Sequence, residues 1–573
     1  MSRVTLPLVI GTLAAVVGSI LPAGHSLGVI NTPEKIIRAW LASSYVDRAW
    51  DVSPELEVVL WSTVVAAFVA GAALGAAVAP KLADCAGRRF SLFITQFICT
   101  VSAILFGVCY LHEYVELMIL GRFVAGLSAG MSTCIVTLYI SEICPPSLSG
   151  VFSALVPLGF TLGMLISYIE GFPSVLGNEC SWIYLMCGSL PYVGAGFFLL
   201  VFAPESPTFT YLFNKEFGDA VKELCSLRGT SDEAEVAGEL AALESAAQRS
   251  TNAGSWTIKK IMGDSSLRRL LIFVFLLNVA QQLSGVNAVF YYSTLVYRSA
   301  GLQGQQVVVA TFCIFLMNVV MSATALPLLR YFRRRALLTV SMTGTIACFI
   351  VLVVSLSVVQ ESSDDIPLLV ASVAPVEESI NSTNMTRQIF RNSNIVLDTK
   401  YPGMAPIQPA SLFNNCTVED PVTIRNFSAM KTSEPSSNNN DLQFEDQMTE
   451  PQPDEGGWAG VCALVATVIF VLAYGVGLGP VPYSYAAETF PDGPRSVALA
   501  VGGTANWGGN FLVGLLFPLI QRHMQHYSFL LFTTFTLVLL IVFQWLPEPK
   551  SCKSGQELAE PNPGESSELL PSR

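Results

Sequence analysis

Residues 281–292 read QQLSGVNAVFYY and lie inside a stretch, about 270–297, that is otherwise apolar. Gln281, Gln282 and Asn287 bring three neutral amides to it, and Asn318, Asn506 and Asn510 bring three more to other apolar runs. An amide both donates and accepts hydrogen bonds. Polar groups at membrane depth are retained mainly for function or for contact between helices. One amide alone would read as interhelical glue. Six read as the lining of a cavity that takes over from water around a hydroxyl-rich solute. Charged groups would hold such a solute too strongly or demand a counter-ion. No nucleophile–base pair, CxxC, Cys/His metal spacing or Walker-type loop is found. The four histidines (25, 112, 523 and 526) are scattered. Enzyme, cofactor and metal chemistry are therefore not expected.

Gln282 and Asn287, five residues apart, stand roughly 140° apart on an ideal helix. Gly285 between them can loosen the helix so that both amides reach one cavity. Asn506 and Asn510 are four apart and share a face, with room left by Gly502, Gly503 and Gly509. The run GVGLGPVP (475–482) predicts a broken helix, because its prolines lack amide donors. Breaks at membrane depth occur where the backbone is shielded or lines a cavity. Phe290, Tyr291 and Tyr292 read either as plain packing or as an outer lid.

These residues need a scaffold that crosses a bilayer. The chain has 573 residues, 52% hydrophobic and 13% charged; soluble proteins carry about 25% charge. Twelve apolar runs are long enough to span as helices, near 5–30, 58–80, 90–111, 117–140, 150–171, 182–203, 270–297, 305–329, 336–360, 457–484, 496–520 and 527–546. The first is read as a retained span, not a signal peptide. Basic residues after spans 2 and 8, and between spans 6 and 7, fall on one side if both termini are cytoplasmic. Residues 361–455 then lie outside. They hold fifteen acids and five bases, are rich in Asn, Ser, Thr and Pro, and predict disorder. They also carry N-x-[ST] sequons at Asn381, Asn384, Asn415 and Asn426.

The chain repeats itself. GRR (87–89) matches RRR (333–335), YISEICPPSLSG (139–150) matches YAAETFPDGPRS (485–496), and PESP (204–207) matches PEPK (547–550). The offsets are 246, 346 and 343, and the jump locates the acidic loop as an insertion. The expected organisation is an all-α polytopic protein of two six-helix bundles related as parallel repeats. The first bundle is 1–207 and the second is 269–360 with 456–549. A helical intracellular linker, 208–268, joins them, and a cytoplasmic tail runs over 550–573. A solute site between the bundles, exposed to each side in turn by rocking, follows. The repeated turns offer an inner gate of ion pairs: Arg88, Arg89 and Glu142 in the first half, Arg334, Arg335, Glu488 and Arg495 in the second. Topology alone accounts for the arginines but not for a Glu at equivalent places.

The stretches GRR, LGRFVAGLSAG (120–130), PESP, QQLSGVNAVFYYST (281–294), GLGPVPYSYAAETFPDGPR (477–495) and NWGGNF (506–511) together resemble the facilitative hexose transporters, the sugar-porter branch of the major facilitator superfamily. The resemblance implies sugar contacts at Gln281, Gln282, Asn287, Asn318, Trp507 and Asn510, and a gate at the charged residues just named. It also marks departures. Ser149 and Cys85 stand where the family has Arg, Pro157 where it has a sugar-binding Gln, Gly475 where it has an acidic contact, Tyr483 where it has Trp, and Thr208 where it has Arg.

Span 1 holds no Asp or Glu, and His25 is its only titratable side chain. Passive uniport of a hexose follows as the expectation. The alternatives are fructose, a polyol or dehydroascorbate as cargo, or a sugar sensor that no longer transports. The partners expected are a small sugar and the bilayer, with no nucleic acid. ESSELL (565–570) fits an acidic dileucine signal read by trafficking adaptors, which would add an endosomal pool to a plasma-membrane protein.

Overall fold

The computed structural model describes residues 4–46, 54–145, 154–214, 216–253, 256–290, 304–364, 457–490 and 492–547, with Leu148, Phe152, Tyr297 and Leu302 besides. Ser149, Tyr291, Tyr292, the four sequons and the 565–570 signal lie outside the described residues.

Described residues of the first half form α1 (Leu6–Gly28), α2 (Glu34–Val46), α3 (Pro54–Ala86), α4 (Arg88–His112), α5 (Val115–Ile143), α6 (Leu155–Glu170) and α7 (Leu190–Phe202). The linker adds α8 (Phe217–Arg228) and α9 (Glu233–Ala253). The second half forms α10 (Ser265–Leu283), α11 (Gln305–Tyr331), α12 (Arg334–Asp364), α13 (Gly457–Val476), α14 (Val481–Thr489), α15 (Asp492–Met524) and α16 (Ser528–Phe543). Among the described residues nine segments are long and apolar enough to cross a bilayer. Two shorter apolar helices, Leu155–Glu170 and Gly460–Val476, stand where spans 5 and 10 are expected. The region of span 11 lies in the 33-residue α15, whose amides and glycines lower its apolar character. Both breaks read from the sequence are present. Span 10 is interrupted between α13 and α14, and α10 ends at Leu283, just before Gly285 at φ +78°.

α3 and α5 pack closely because each turns small residues to the other. A side chain at Gly126 or Gly130 would strike the carbonyls of Phe68 or Ala72, and one at Gly71 or Gly75 those of Phe123 or Leu127. Close backbone approach through small residues replaces the hydrophobic drive that lipid removes. The LGRFVAGLSAG run is thus a helix-contact surface.

Buried apolar side chains form one cluster that takes from both halves: Leu27, Trp61, Phe68 and Tyr168 belong to it, and so do Phe290, Phe315, Phe349, Trp507 and Phe517. Leu27, Trp61, Tyr168 and Phe315 lie towards the ends at which α1 and α6 finish and α3 and α11 begin, whereas Phe68, Phe349 and Trp507 stand nearer the middle of their helices. At the opposite ends two clusters draw on one half each. Leu8, Ala79, Leu92, Ile135 and Tyr139 belong to one, and Leu271, Leu277, Leu338, Tyr485 and Phe490 to the other.

The linker is tied to the first half. The Arg228 guanidinium bonds Glu239 of α9 at 2.7 Å and donates to the Ile143 carbonyl at 3.0 Å, and the Thr5 hydroxyl donates to the Leu227 carbonyl at 2.8 Å. Burial raises the Glu223 carboxyl above its ordinary range, against the hydrogen bond it receives from Thr210 and with nearby Glu205 adding to the rise.

Gly87 opens α4 at φ +88°, where a Cβ would lie 2.8 Å from Glu205 Oε2 and 2.9 Å from the Phe209 ring. Gly87→Ala is expected to destabilise the first half by about 1–3 kcal/mol, since it combines a backbone geometry reserved for glycine with a clash. A thermal melt of the purified protein would read this as a lowered Tm; an unchanged Tm would refute it.

Candidate functional site

The break in span 10 frees carbonyls that a continuous helix would have used. Gln281 takes two of them: its Nε2 donates to Leu478 O at 2.9 Å and to Gly479 O at 2.8 Å. Its Oε1 accepts from Asn506 Nδ2, whose own oxygen-bearing neighbour Asn278 lies at 3.5 Å. Gln282 Nε2 reaches Gln281 Oε1 at 3.4 Å, and Gln282 Oε1 accepts from Asn287 Nδ2. The loosening at Gly285 is what lets residues five apart meet. The result is a continuous chain of amides, Asn287–Gln282–Gln281–Asn506, running from the segment after α10 to α15. All four side chains are buried. Ser341 of α12 closes the other side of the break, accepting from Leu478 N at 3.1 Å.

Asn510 and Trp507 are buried on α15. The Trp507 ring meets Phe68 edge-on at 6.3 Å and Phe160 at 6.4 Å, both from the first half. A Cβ at Gly509 would lie 3.0 Å from the Gln282 side chain, and one at Gly503 would lie 3.5 and 3.7 Å from Cys134 and Ala76 of the first half. The structure therefore brings Gln281, Gln282, Asn287, Trp507 and Asn510 into one neighbourhood. Asn318 is half-buried on α11 and makes no hydrogen bond to another described residue. Phe290 packs on Phe315 at 5.5 Å, and Phe315 stacks on Tyr168 at 5.0 Å; the Tyr168 hydroxyl donates across the halves to Val308 O at 2.9 Å.

The departures have visible consequences. A side chain at Gly475 would meet Met321 of α11, whose Cβ would lie 2.5 Å away. An apolar thioether thus occupies the space a carboxylate would need. Pro157 is exposed on α6 and presents no donor.

The charged turns form the same network twice. Arg88 grips Glu142 through Nε at 2.8 Å and Nη2 at 2.9 Å; Arg334 grips Glu488 through Nε at 2.9 Å and Nη2 at 2.7 Å. Arg89 donates to Leu200 O at 2.9 Å and Arg335 to Leu546 O at 2.6 Å. The Tyr139 hydroxyl donates to Pro204 O at 2.6 Å and that of Tyr485 to Pro547 O at 2.9 Å. Each pair lies inside one half and follows the offsets of the sequence repeat. Arg495 donates to Phe490 O at 3.2 Å. In the first half Ser206 also donates to Glu142, at 2.5 Å, and the Glu205 carboxylate accepts from the Arg88 and Arg89 amides at 3.0 and 3.1 Å.

Sequence reasoning passed over three features. Arg122 is almost fully buried; it donates to Ser26 O at 2.5 Å and lies over the Phe68 ring at 4.6 Å. Its signal was a lone arginine in an apolar run. Cys180, which no CxxC or metal spacing marks in the sequence, is disulfide-bonded. His25 is fully buried against Glu170 at 2.8 Å; no spacing relates residues so far apart.

The family model described as "Sugar (and other) transporter" matches residues 11–374 and 446–553. Facilitated glucose transporter member 3 of solute carrier family 2 from Ovis aries is 29% identical over 96% of this chain and 91% of its own length. The member 14 protein of Homo sapiens is also 29% identical, over 96% of this chain and 86% of its own length. Among solved structures, the proton:xylose symporter XylE bound to 6-bromo-6-deoxy-D-glucose superposes with a TM-score of 0.66 at 17% identity, covering 95% of this chain and 97% of that one. The inward-open XylE of E. coli gives 0.60 at 18% identity, over 94% and 96%. The chain shares the fold of these structures.

Proposed function

The chain belongs to the sugar (and other) transporter family of integral membrane proteins, which are transporters and not enzymes, and from that premise we propose that it moves a hexose, glucose or a close relative, passively by alternating access. The observation that carries this reading is the buried amide chain Asn287–Gln282–Gln281–Asn506 at the break of span 10. These amides hydrogen-bond one another. A hydroxyl group can exchange into such a chain without leaving any member unpaired, because each partner both donates and accepts. The bundles 1–207 and 269–360 with 456–549 are the moving parts, and 208–268 is the linker that keeps them in register.

The aromatic cluster shared by both halves supports a state closed at the end where α1 finishes. With both termini cytoplasmic that end faces outward. The disulfide at Cys180, between spans 5 and 6, supports the same orientation, since disulfides persist in oxidising compartments. Within each half, Arg88–Glu142 and Arg334–Glu488 act as rivets that keep a bundle rigid while it tilts. The absence of an acid from span 1 supports a uniport. Met321 at Gly475, together with Pro157, favours a sugar that needs fewer contacts there than glucose does, fructose included.

Radiolabelled uptake by a cell lacking its own hexose carriers tests the reading. Gln282→Leu is expected to lower uptake about tenfold or more, equivalent to ~1.4 kcal/mol of lost binding. Wild-type uptake by that variant would sink the site. In proteoliposomes, uphill sugar accumulation under an imposed proton gradient would sink the uniport.

A further inference from the structure

Apart from the amides, the first half buries a titratable group that transport as described does not use. His25 is fully buried on α1, and its Nε2 lies 2.8 Å from Glu170 Oε2 at the end of α6. The other carboxylate oxygen accepts from the Tyr192 hydroxyl of α7 at 2.9 Å. Gly188 lids the pair, since a Cβ there would lie 2.9 Å from His25 Nε2 and 3.0 Å from a Glu170 oxygen. A carboxylate only accepts, so Nε2 carries the hydrogen that meets it. Nδ1 is then a bare lone pair, and it has no hydrogen-bond partner among the described residues. Imidazole is the side chain whose charge changes between about pH 5 and 8.

We propose that His25 and Glu170 form a proton-binding site that regulates sugar transport through the packing of α1 on α6. The proton adds to His25 Nδ1 and converts a neutral-imidazole–carboxylate pair into an imidazolium–carboxylate ion pair; no other bond changes. The groups facing the site are Glu170 of α6, Tyr192 of α7 and, one residue along α1, the Arg122 guanidinium of α5 on the Ser26 carbonyl. Glu170, the counter-charge, contacts the ring directly, whereas the like charge of Arg122 is held off on the Ser26 carbonyl, so protonation draws α1 towards α6.

The contact between these helices reaches the substrate site. Gly24 of α1 rests on the Phe160 carbonyl of α6, and Gly163 of α6 rests on the Leu21 carbonyl and the His25 amide. A change in α1–α6 separation therefore moves Phe160, whose ring lies on Trp507. Arg122 gives a second route, since it sits over Phe68, the other ring on Trp507. With the ion pair formed, α1 is clamped and transport slows.

The effect on transport rests on the sugar-transport reading; proton binding does not, and the two are measured separately. The purified full chain carries only four histidines, so isotope-labelled histidine gives a resolvable NMR titration. One resonance is expected to titrate, to vanish in His25→Gln and to shift its midpoint in Glu170→Gln and Tyr192→Phe. Absence of that titration in the wild type overturns the proton site whatever the cargo. In uptake, the wild-type rate is expected to fall about threefold or more as pH falls through that titration, while His25→Gln, whose amide can still donate to Glu170, transports with a flat profile. A flat wild-type profile, or an unchanged profile in His25→Gln, overturns the regulatory role. Should His25→Gln not fold, Tyr192→Phe must still displace the wild-type midpoint.

Discussion

Gln281→Leu is expected to cut sugar uptake by about 100-fold and to lower the Tm of the purified protein as well, the largest loss of any single amide substitution. Gln281 serves four partners at once: the Leu478 and Gly479 carbonyls and the Asn506 and Gln282 amides. Leucine is of similar size but strands all four. At about 0.6–2 kcal/mol for each bond between membrane helices the total is several kcal/mol, against 1.4 kcal/mol for each factor of ten. Gln282→Leu strands fewer groups and leaves the break of span 10 supported, so its loss is confined to uptake. The pair thus separates two roles: Gln281 shapes the broken helix as well as the site, whereas Gln282 contributes to the site alone. Equal melting temperatures for the two variants would refute the distinction.

Arg88→Leu is expected to destabilise the protein by about 3–5 kcal/mol, because it leaves Glu142 buried without its counter-charge. The Arg88 side chain is 4% exposed and that of Glu142 11%. Arg334→Leu is expected to cost less, since its partner Glu488 is 22% exposed and water can screen it. The double variant Arg88→Met with Glu142→Leu is expected to recover most of the Tm lost by Arg88→Leu, as removal of a whole buried pair often proves nearly neutral. Its uptake should stay low, since the rivet between α4 and α5 that keeps the bundle rigid is gone. Thermal melts and uptake on the three variants check this. A double variant no more stable than Arg88→Leu would show that the charges matter by something other than mutual compensation.

Much of the fold was legible because a bilayer imposes simple demands. An apolar run of sufficient length must span, and the breaks at Gly285 and at 475–482 followed from residues that disfavour continuous helix. The stretch 208–268, read as helical, holds α8 and α9. The helix Glu34–Val46 between the first two spans escaped notice. It is amphipathic and short, buries the apolar side chains of Ile37 and Leu41, and is pinned by Arg38 to Glu34 and Glu57 at 3.2 and 2.8 Å. None of this leaves a long apolar signature. The repeat was more informative than expected: equal offsets in sequence correspond to equal bonds in space, from Arg88–Glu142 to Tyr139–Pro204.

For the candidate site, residue type and partner separate cleanly. Gln281, Gln282, Asn287, Asn318, Asn506 and Asn510 could be singled out from their chemistry, since an amide in an apolar span is costly wherever the helix points. What each amide bonds could not be read. Helix rotation and crossing decide that, and they result from packing summed over both halves. So it is the tertiary structure that joins Gln281 to a carbonyl 197 residues away and His25 to a carboxylate 145 residues away, and that fills the space beside Gly475 with Met321. Sequence by itself determined a membrane-spanning, twice-repeated chain with neutral polar groups at its centre, because burial in lipid prices each residue locally. Only the folded chain decided which of those groups face one another, because a hydrogen bond needs two atoms within about 3 Å and no local rule brings distant helices that close.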